Sequence, residues 1–269
     1  VKILIGRVCW GAGDWYMLVS IMRMINKYRP DCQIDLSAHP NTPKGWLHLP
    51  GECGVRYNIV PHETTGDGYD GHIPHLVYNN VRQPSKEHLL KNMLDRLNER
   101  IPAFRGNPIP YDWEGCKCVP TEIVPSPMSG KYVLMPSCGA QTKYSSPKEF
   151  PGMDALSIFI RHHIAPVVQI GSVGDPTLAG ASHRFDTLPF PEYAALFRGS
   201  LFGVFLENGC AHWAGNIGSP HFVLFRSWIH PDPVGVMYPT GIPILAYNMG
   251  AEEVFNIIKR NVDSGKIPL

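Results

Sequence analysis

An acid, an amide, a glycine, a thiol and an imidazole fall within six residues at Glu207, Asn208, Gly209, Cys210 and His212. They directly follow Phe202 to Leu206, a short, continuously apolar run that reads as a buried strand of a parallel sheet. A helix is expected to begin at His212 and to end at Gly218-Ser219-Pro220, after which His221 to Phe225 reads as the next strand. In open α/β sheets ligands bind outside the carboxyl ends of the strands, and the free amides of a helix start favour an anion. The guest expected here is a phosphate or diphosphate, with Asn208, Gly209, Cys210 and Ala211 around it and His212 reaching it from the helix.

The same grammar opens the chain. Val1 to Ile5 is a first strand, Arg7 to Gly13 a glycine-bearing turn, and a helix is expected from about Trp15 to Tyr28, with Leu18, Ile21, Met22, Ile25 and Tyr28 on one face. Gln33 to Leu36 completes a βαβ unit. Asp14 precedes this helix and has two readings. As an N-cap it binds first-turn amides, worth about 1 kcal/mol. As a general base it needs a partly apolar cleft to offset the acidifying helix terminus, which Trp10, Trp15 and Tyr16 could supply.

Residues 37 to 85 are dense in His, Pro, Gly and Asn and read as long loops with strand-like pieces at 56–60 and 75–78. Ser85 to Arg100 reads as an amphipathic helix capped by Ser85, with Leu89, Leu90, Met93, Leu94 and Leu97 inward. Ile101 to Gly130 holds six prolines and reads as the crossing between two domains, 1–125 and 126–269. A second series follows: a strand at Lys131 to Met135, a polar loop carrying Gly139 and Lys143, a helix at Met153 to His163, and a strand at Pro166 to Ile170 ending in Gly171. Pro191 to Arg198 and Glu252 to Val262 read as helices. Lys143 suits phosphate neutralisation, with Lys148 as its rival. Two such α/β halves are expected to face a cleft, a usual place for a ligand.

Composition narrows the function. A chain of 269 residues with a net charge of +1 offers no electrostatic case for nucleic acid or membrane as an obligatory partner. The seven cysteines, at 9, 32, 53, 116, 118, 138 and 210, form no CxxC pair, which argues against a disulfide framework and for a reducing, cytoplasmic setting. No apolar run reaches the length of a membrane span, and Val1 to Ile5 is short for a signal-peptide core. Complete GxGxxG, GxSxG, HExxH and Walker patterns are missing, which disfavours nicotinamide, hydrolase and P-loop chemistry. Asp-x-Asp is missing too, and neither Cys116-Lys-Cys118 nor His162-His163 has zinc spacing, so no metal is expected.

Residues 3 to 36, with Gly13-Asp14 before the helix and Tyr-x-Pro-Asp ending at Asp31, resemble the opening of the ADP-heptose:lipopolysaccharide heptosyltransferase family, glycosyltransferases of the GT-B fold. In the second half, Pro136-Ser137-Cys138-Gly139 with Lys143 is similar to that family's donor loop, and Val168 to Gly171 to its next glycine-ended strand. Glu207 to Ala214 is similar to its Asp-[Ser/Thr]-Gly-x-x-His-x-Ala signature, with Glu207 in place of Asp and Asn208 in place of Ser or Thr. The resemblance implies two Rossmann-like domains facing a cleft, an acceptor side at 1–125 and a nucleotide-sugar side at 126–269. It implies inverting, metal-independent sugar transfer with Asp14 as base, and donor contacts from Gly139, Lys143, Gly171, Asn208, Gly209, Cys210, Ala211 and His212. The donor nucleotide-diphosphate sugar is a substrate, and no cofactor is implied. The implied acceptor is a saccharide of a surface glycan. A hydroxymethylated DNA base is the alternative acceptor, and a non-catalytic nucleotide-sugar-binding protein the alternative to an enzyme.

Overall fold

Among the described residues, two sheets, each wholly parallel, organise the chain. They belong to separate units, Val1–Glu122 and Ile123–Leu269. The structure is a computed structural model and describes residues 1–6, 12–74, 88–136, 150–171, 174–225 and 238–267.

The first unit contains β1 (Lys2–Ile5), α1 (Ala12–Tyr28), β2 (Gln33–Ser37), α2 (Lys44–Glu52), β3 (Asn58–Val60), β4 (Gly71–Ile73), α3 (Leu89–Arg100), α4 (Pro102–Arg105) and a 3-10 turn at Glu114–Cys116. The strand order is β3-β2-β1-β4. The chain therefore starts in the middle of the sheet, steps outward through β2 and β3, and returns on the other side of β1 as β4. Ile3, Leu4 and Ile5 have no exposed surface. Helix α1 is apolar on nearly every side, burying Trp15, Met17, Leu18, Val19, Ile21 and Met22, as expected of a helix packed by α2, α3 and the 3-10 turn.

Four expectations change here. Helix α1 begins at Ala12, so Asp14 is its third residue rather than the cap before it. Tyr28 leaves the inward face, 38% exposed, because its hydroxyl donates to Asp112 at 2.8 Å. The helix expected from Ser85 begins at Leu89, where extended His88 accepts the Leu90 amide on Nδ1 at 3.1 Å and acts as the N-cap. Ser85 and the piece at 75–78 lie outside the described residues. Helix α2 stands where loops were expected. It carries Pro50 in its last turn, and Cys53 ends it.

The second unit contains β5 (Val133–Pro136), α5 (Met153–His163), β6 (Val167–Ile170), β7 (Ala181–Phe185), α6 (Phe190–Gly199), β8 (Phe202–Leu206), α7 (Gly209–Ile217), β9 (His221–Phe225), β10 (Gly241–Leu245) and α8 (Ala251–Asp263). Its order, β10-β9-β8-β5-β6-β7, is that of a dinucleotide-type Rossmann sheet counted from β5. Strands β5, β6, β8 and β9 are buried throughout, the signature of parallel strands covered on both faces. Helices α5 and α8 pack together, with Phe159 stacked on Phe255 at 5.5 Å. Among the described residues no helix is long and apolar enough to cross a membrane.

Candidate functional site

In the second unit the chain leaves β5 toward β6 and later returns to the opposite side of β5 as β8. Such a reversal, at the carboxyl ends of β5 and β8, is the place where open α/β sheets receive ligands. Of the segments that follow these two strands, the one after β5, with Gly139 and Lys143, lies outside the described residues. The one after β8 is Glu207-Asn208. Glu207 is buried, 9% exposed.

Asn208 has an extended backbone and caps α7. Its Oδ1 accepts from the amides of Cys210 at 3.0 Å and Ala211 at 3.3 Å, and its carbonyl accepts from Ala211 at 3.1 Å and His212 at 3.3 Å. The helix thus starts at Gly209, three residues before the expected His212, because a cap closes the first turn. Two of the amides expected to meet a phosphate are held by the cap. Asparagine satisfies them without adding negative charge, so the positive helix end is preserved for an anion.

Helix α7 is held from two sides. On one, Trp213 stacks on Phe190 at 5.2 Å and packs against Tyr193 and Phe197 at 5.4 and 4.9 Å. On the other, fully buried Asn216 donates to the His212 carbonyl at 3.1 Å and to the Tyr238 hydroxyl at 2.9 Å. The His212 ring meets Tyr238 edge-on at 6.1 Å. Gly215 makes this possible, since a Cβ there would lie 2.0 Å from the Tyr238 ring. Gly218, at φ +81°, ends the helix. Burial pushes the Cys210 thiol up to about 12, so it is a neutral group rather than a nucleophile. Gly171 donates its amide to the Phe185 carbonyl at 3.0 Å, extending the β6–β7 ladder by one step. It offers a bare Cα rather than a free amide at that strand end.

The first unit repeats the reversal between β1 and β4. Gly6 follows β1 and donates to the Ile73 carbonyl at 2.6 Å. A Cβ on Gly6 would lie 2.6 Å from the Pro74 carbonyl oxygen, so the two chain segments meet at glycine distance. Half-buried Asp14 lies in the first turn of α1 on this same carboxyl edge. Trp15, 2% exposed, faces Trp46 of α2 at 6.3 Å, a partner that sequence reading missed. Tyr16 is half-buried, and Trp10 lies outside the described residues. Two residues past β2 and β3, His39 and His62 meet edge-on at 5.1 Å. Trp46, His39, His62, Asn216 and Tyr238 carried no signal in the sequence because each depends on a distant partner.

No known protein-family description matches the chain, and no curated relative does. Its fold is shared with solved structures. E. coli heptosyltransferase WaaC with ADP superposes with a TM-score of 0.65 at 12% identity, over 97% of this chain and 100% of that one. E. coli ADP-heptose LPS heptosyltransferase II gives 0.60 at 14% identity, over 99% and 100%. A family 9 glycosyl transferase from Veillonella parvula gives 0.60 at 11%, over 97% and 91%. This is the α/β, GT-B-like fold. At these identities the likeness is one of fold, and it agrees with the motifs at 3–36 and 207–214.

Proposed function

We propose that the chain is a glycosyltransferase that binds a nucleotide-diphosphate sugar through the unit Ile123–Leu269 and an acceptor hydroxyl through the unit Val1–Glu122. The observation that carries this reading is the uncharged Asn208 cap on α7 at the β5/β8 reversal, in a fold shared with a heptosyltransferase solved with ADP. In this reading Asp14 takes the proton of the acceptor hydroxyl. The freed oxygen attacks the anomeric carbon on the face opposite the nucleotide, which inverts that centre. The departing diphosphate is stabilised by the α7 terminus with Gly209, by His212, and by Lys143 from the loop after β5. Gly139, Gly171, Cys210 and Ala211 line the donor side. These groups neutralise the diphosphate without a metal or cofactor. We assign the acceptor as a saccharide of a surface glycan, and the free thiols suit a cytoplasmic enzyme.

Calorimetry with ADP, UDP and GDP tests the reading. At least one should bind, equally well in EDTA, and Lys143→Ala should weaken binding by about 1–3 kcal/mol, the range for a lost charged hydrogen bond. A panel of nucleotide sugars should then be hydrolysed slowly, and acceptor saccharides should raise the rate. Binding without hydrolysis would mark a nucleotide-sugar-binding protein, and stimulation only by hydroxymethylated DNA would reassign the acceptor. Failure of every nucleotide to bind would overturn the reading.

A further inference from the structure

The thiols of Cys53 and Cys118 lie 3.7 Å apart, 2% and 0% exposed. We propose that they form a reversible dithiol–disulfide pair, oxidised by a small-molecule disulfide, that staples the last stretch of the first unit onto α2. Both backbones are pinned. Cys53 is the C-cap of α2, its amide donating to the carbonyls of Leu49 and Pro50 at 3.1 Å each. Around Cys118, Arg23 donates to the Lys117 carbonyl, while the Thr121 amide and hydroxyl both donate to the Glu52 carbonyl, at 2.8 and 3.1 Å. The two sulfurs are therefore held opposite each other rather than meeting by side-chain wandering. The neighbouring thiols point elsewhere: Cys116 faces Asp112 at 3.9 Å and Cys32 the Gln33 carbonyl at 3.8 Å.

The chemistry is a two-step exchange. One protein thiolate attacks the small disulfide, forming a mixed disulfide and releasing one small thiol. The second protein thiolate then attacks the protein sulfur of that mixed disulfide, closes the Cys53–Cys118 bond and releases the second small thiol. Two electrons pass to the reagent and two protons leave the protein thiols. Burial, with Cys53 alongside, pushes the Cys118 thiol well up, so exchange is slow at neutral pH and quickens with alkali. Access requires residues 117–122 to lift.

The full chain, kept folded, should be incubated with oxidised glutathione, digested without reductant and analysed by mass spectrometry. The expected product is a linked Cys53–Cys118 peptide pair, two hydrogens lighter than the separate peptides. The melting temperature should rise by roughly 5–10 °C for closure of so long a loop. The rise should vanish in Cys118→Ala and Cys53→Ala and persist in Cys116→Ala. If a variant proves too unstable to melt cleanly, the wild-type linkage map alone decides. Linkage to Cys116 or Cys32, stable glutathione adducts at Cys53 or Cys118, or no linkage in the folded protein would overturn the proposal.

Discussion

The two units solve one geometric problem with opposite chemistry. In each, a parallel sheet reverses direction beside its first strand and a helix starts at the carboxyl edge. Helix α1 places a carboxylate, Asp14, at its third position. Helix α7 places a neutral amide, Asn208, at its cap and no acid in its first turn. A helix N-terminus attracts negative charge. The first unit fills that demand with its own acid, and the second leaves it for a guest. In the proposed function, one end takes a proton and the other receives an anion. Asn caps about as well as Ser or Thr, so where the chain differs from the heptosyltransferase signature it resembles, the turn stays intact.

The sharpest way to break this contrast is to neutralise the acid. Asp14→Asn should lower sugar-transfer turnover by about 10²- to 10⁴-fold while donor affinity is retained. Because Asp14 stands inside the first turn rather than at the cap, the change should also cost about 0.3–1 kcal/mol of stability through the lost interaction with the helix end. Turnover against melting temperature separates the roles, and an active variant with only the stability loss would leave Asp14 a helix-end acid.

The second test asks whether the units share a sensitivity to acid. Among the described residues each holds one histidine whose pKa burial lowers to about 4, half-buried His88 in the first and fully buried His221 in the second. His88 uses Nδ1 to accept the Leu90 amide, so protonation there removes the α3 cap. His221 donates Nδ1–H to the Ser219 carbonyl at 2.8 Å, and its buried Nε2 has no partner among the described residues. A folded pKa below the ordinary 6.5 means that the unfolded chain binds the proton first. This contribution to stability is therefore complete above pH 6.5 and is lost as pH falls toward 4. The loss should reach about 3 kcal/mol for His221 and less for partly exposed His88. Urea midpoints from pH 7 to pH 4, with His221→Gln flattening part of the slope, measure it. A pH-independent midpoint would contradict both assignments.

The gentlest test reverses the second unit's choice. Asn208→Asp should keep the cap and the melting temperature but weaken nucleotide-diphosphate binding by about tenfold or more, through a like charge brought to the anion's seat. Asn208→Ala should do the opposite, costing about 1 kcal/mol of stability with a smaller effect on binding. Equal effects of the two variants on affinity would place the diphosphate elsewhere.

Strands β8 and β9 were legible because each is a short apolar run bounded by strong punctuation, Glu207-Asn208-Gly209 after β8 and Gly218-Ser219-Pro220 before β9. What failed was local and physical. Edge strands β7 and β10 escaped notice because an edge needs little apolar surface: Ser182 and His183 are exposed, and β10 contains Pro243, which only an edge tolerates. Helix α2 was hidden by Pro50 and its histidine- and glycine-bearing surroundings. The starts of α1, α3 and α7 shifted by three or four residues, most plainly at α3, where His88 went unrecognised as the cap. At the candidate site, Asn208 and His212 could be read from their place after β8. Asn216, Tyr238 and the Trp15–Trp46 pair could not, since each exists only through a contact made by the finished fold.

The clasp of Asn216 on Tyr238 has a mechanical consequence. A helix gripped on one flank by a polar bond threaded past Gly215, and on the other by the Phe190–Trp213 stack, has lost its freedom to roll. A turn of one residue would swing Asn216 by 100°, stranding its amide in the core and driving a side chain into the Tyr238 ring. Whatever settles at the head of α7 must find its fit in the backbone around Gly209, because the helix behind it behaves as a fixed anvil.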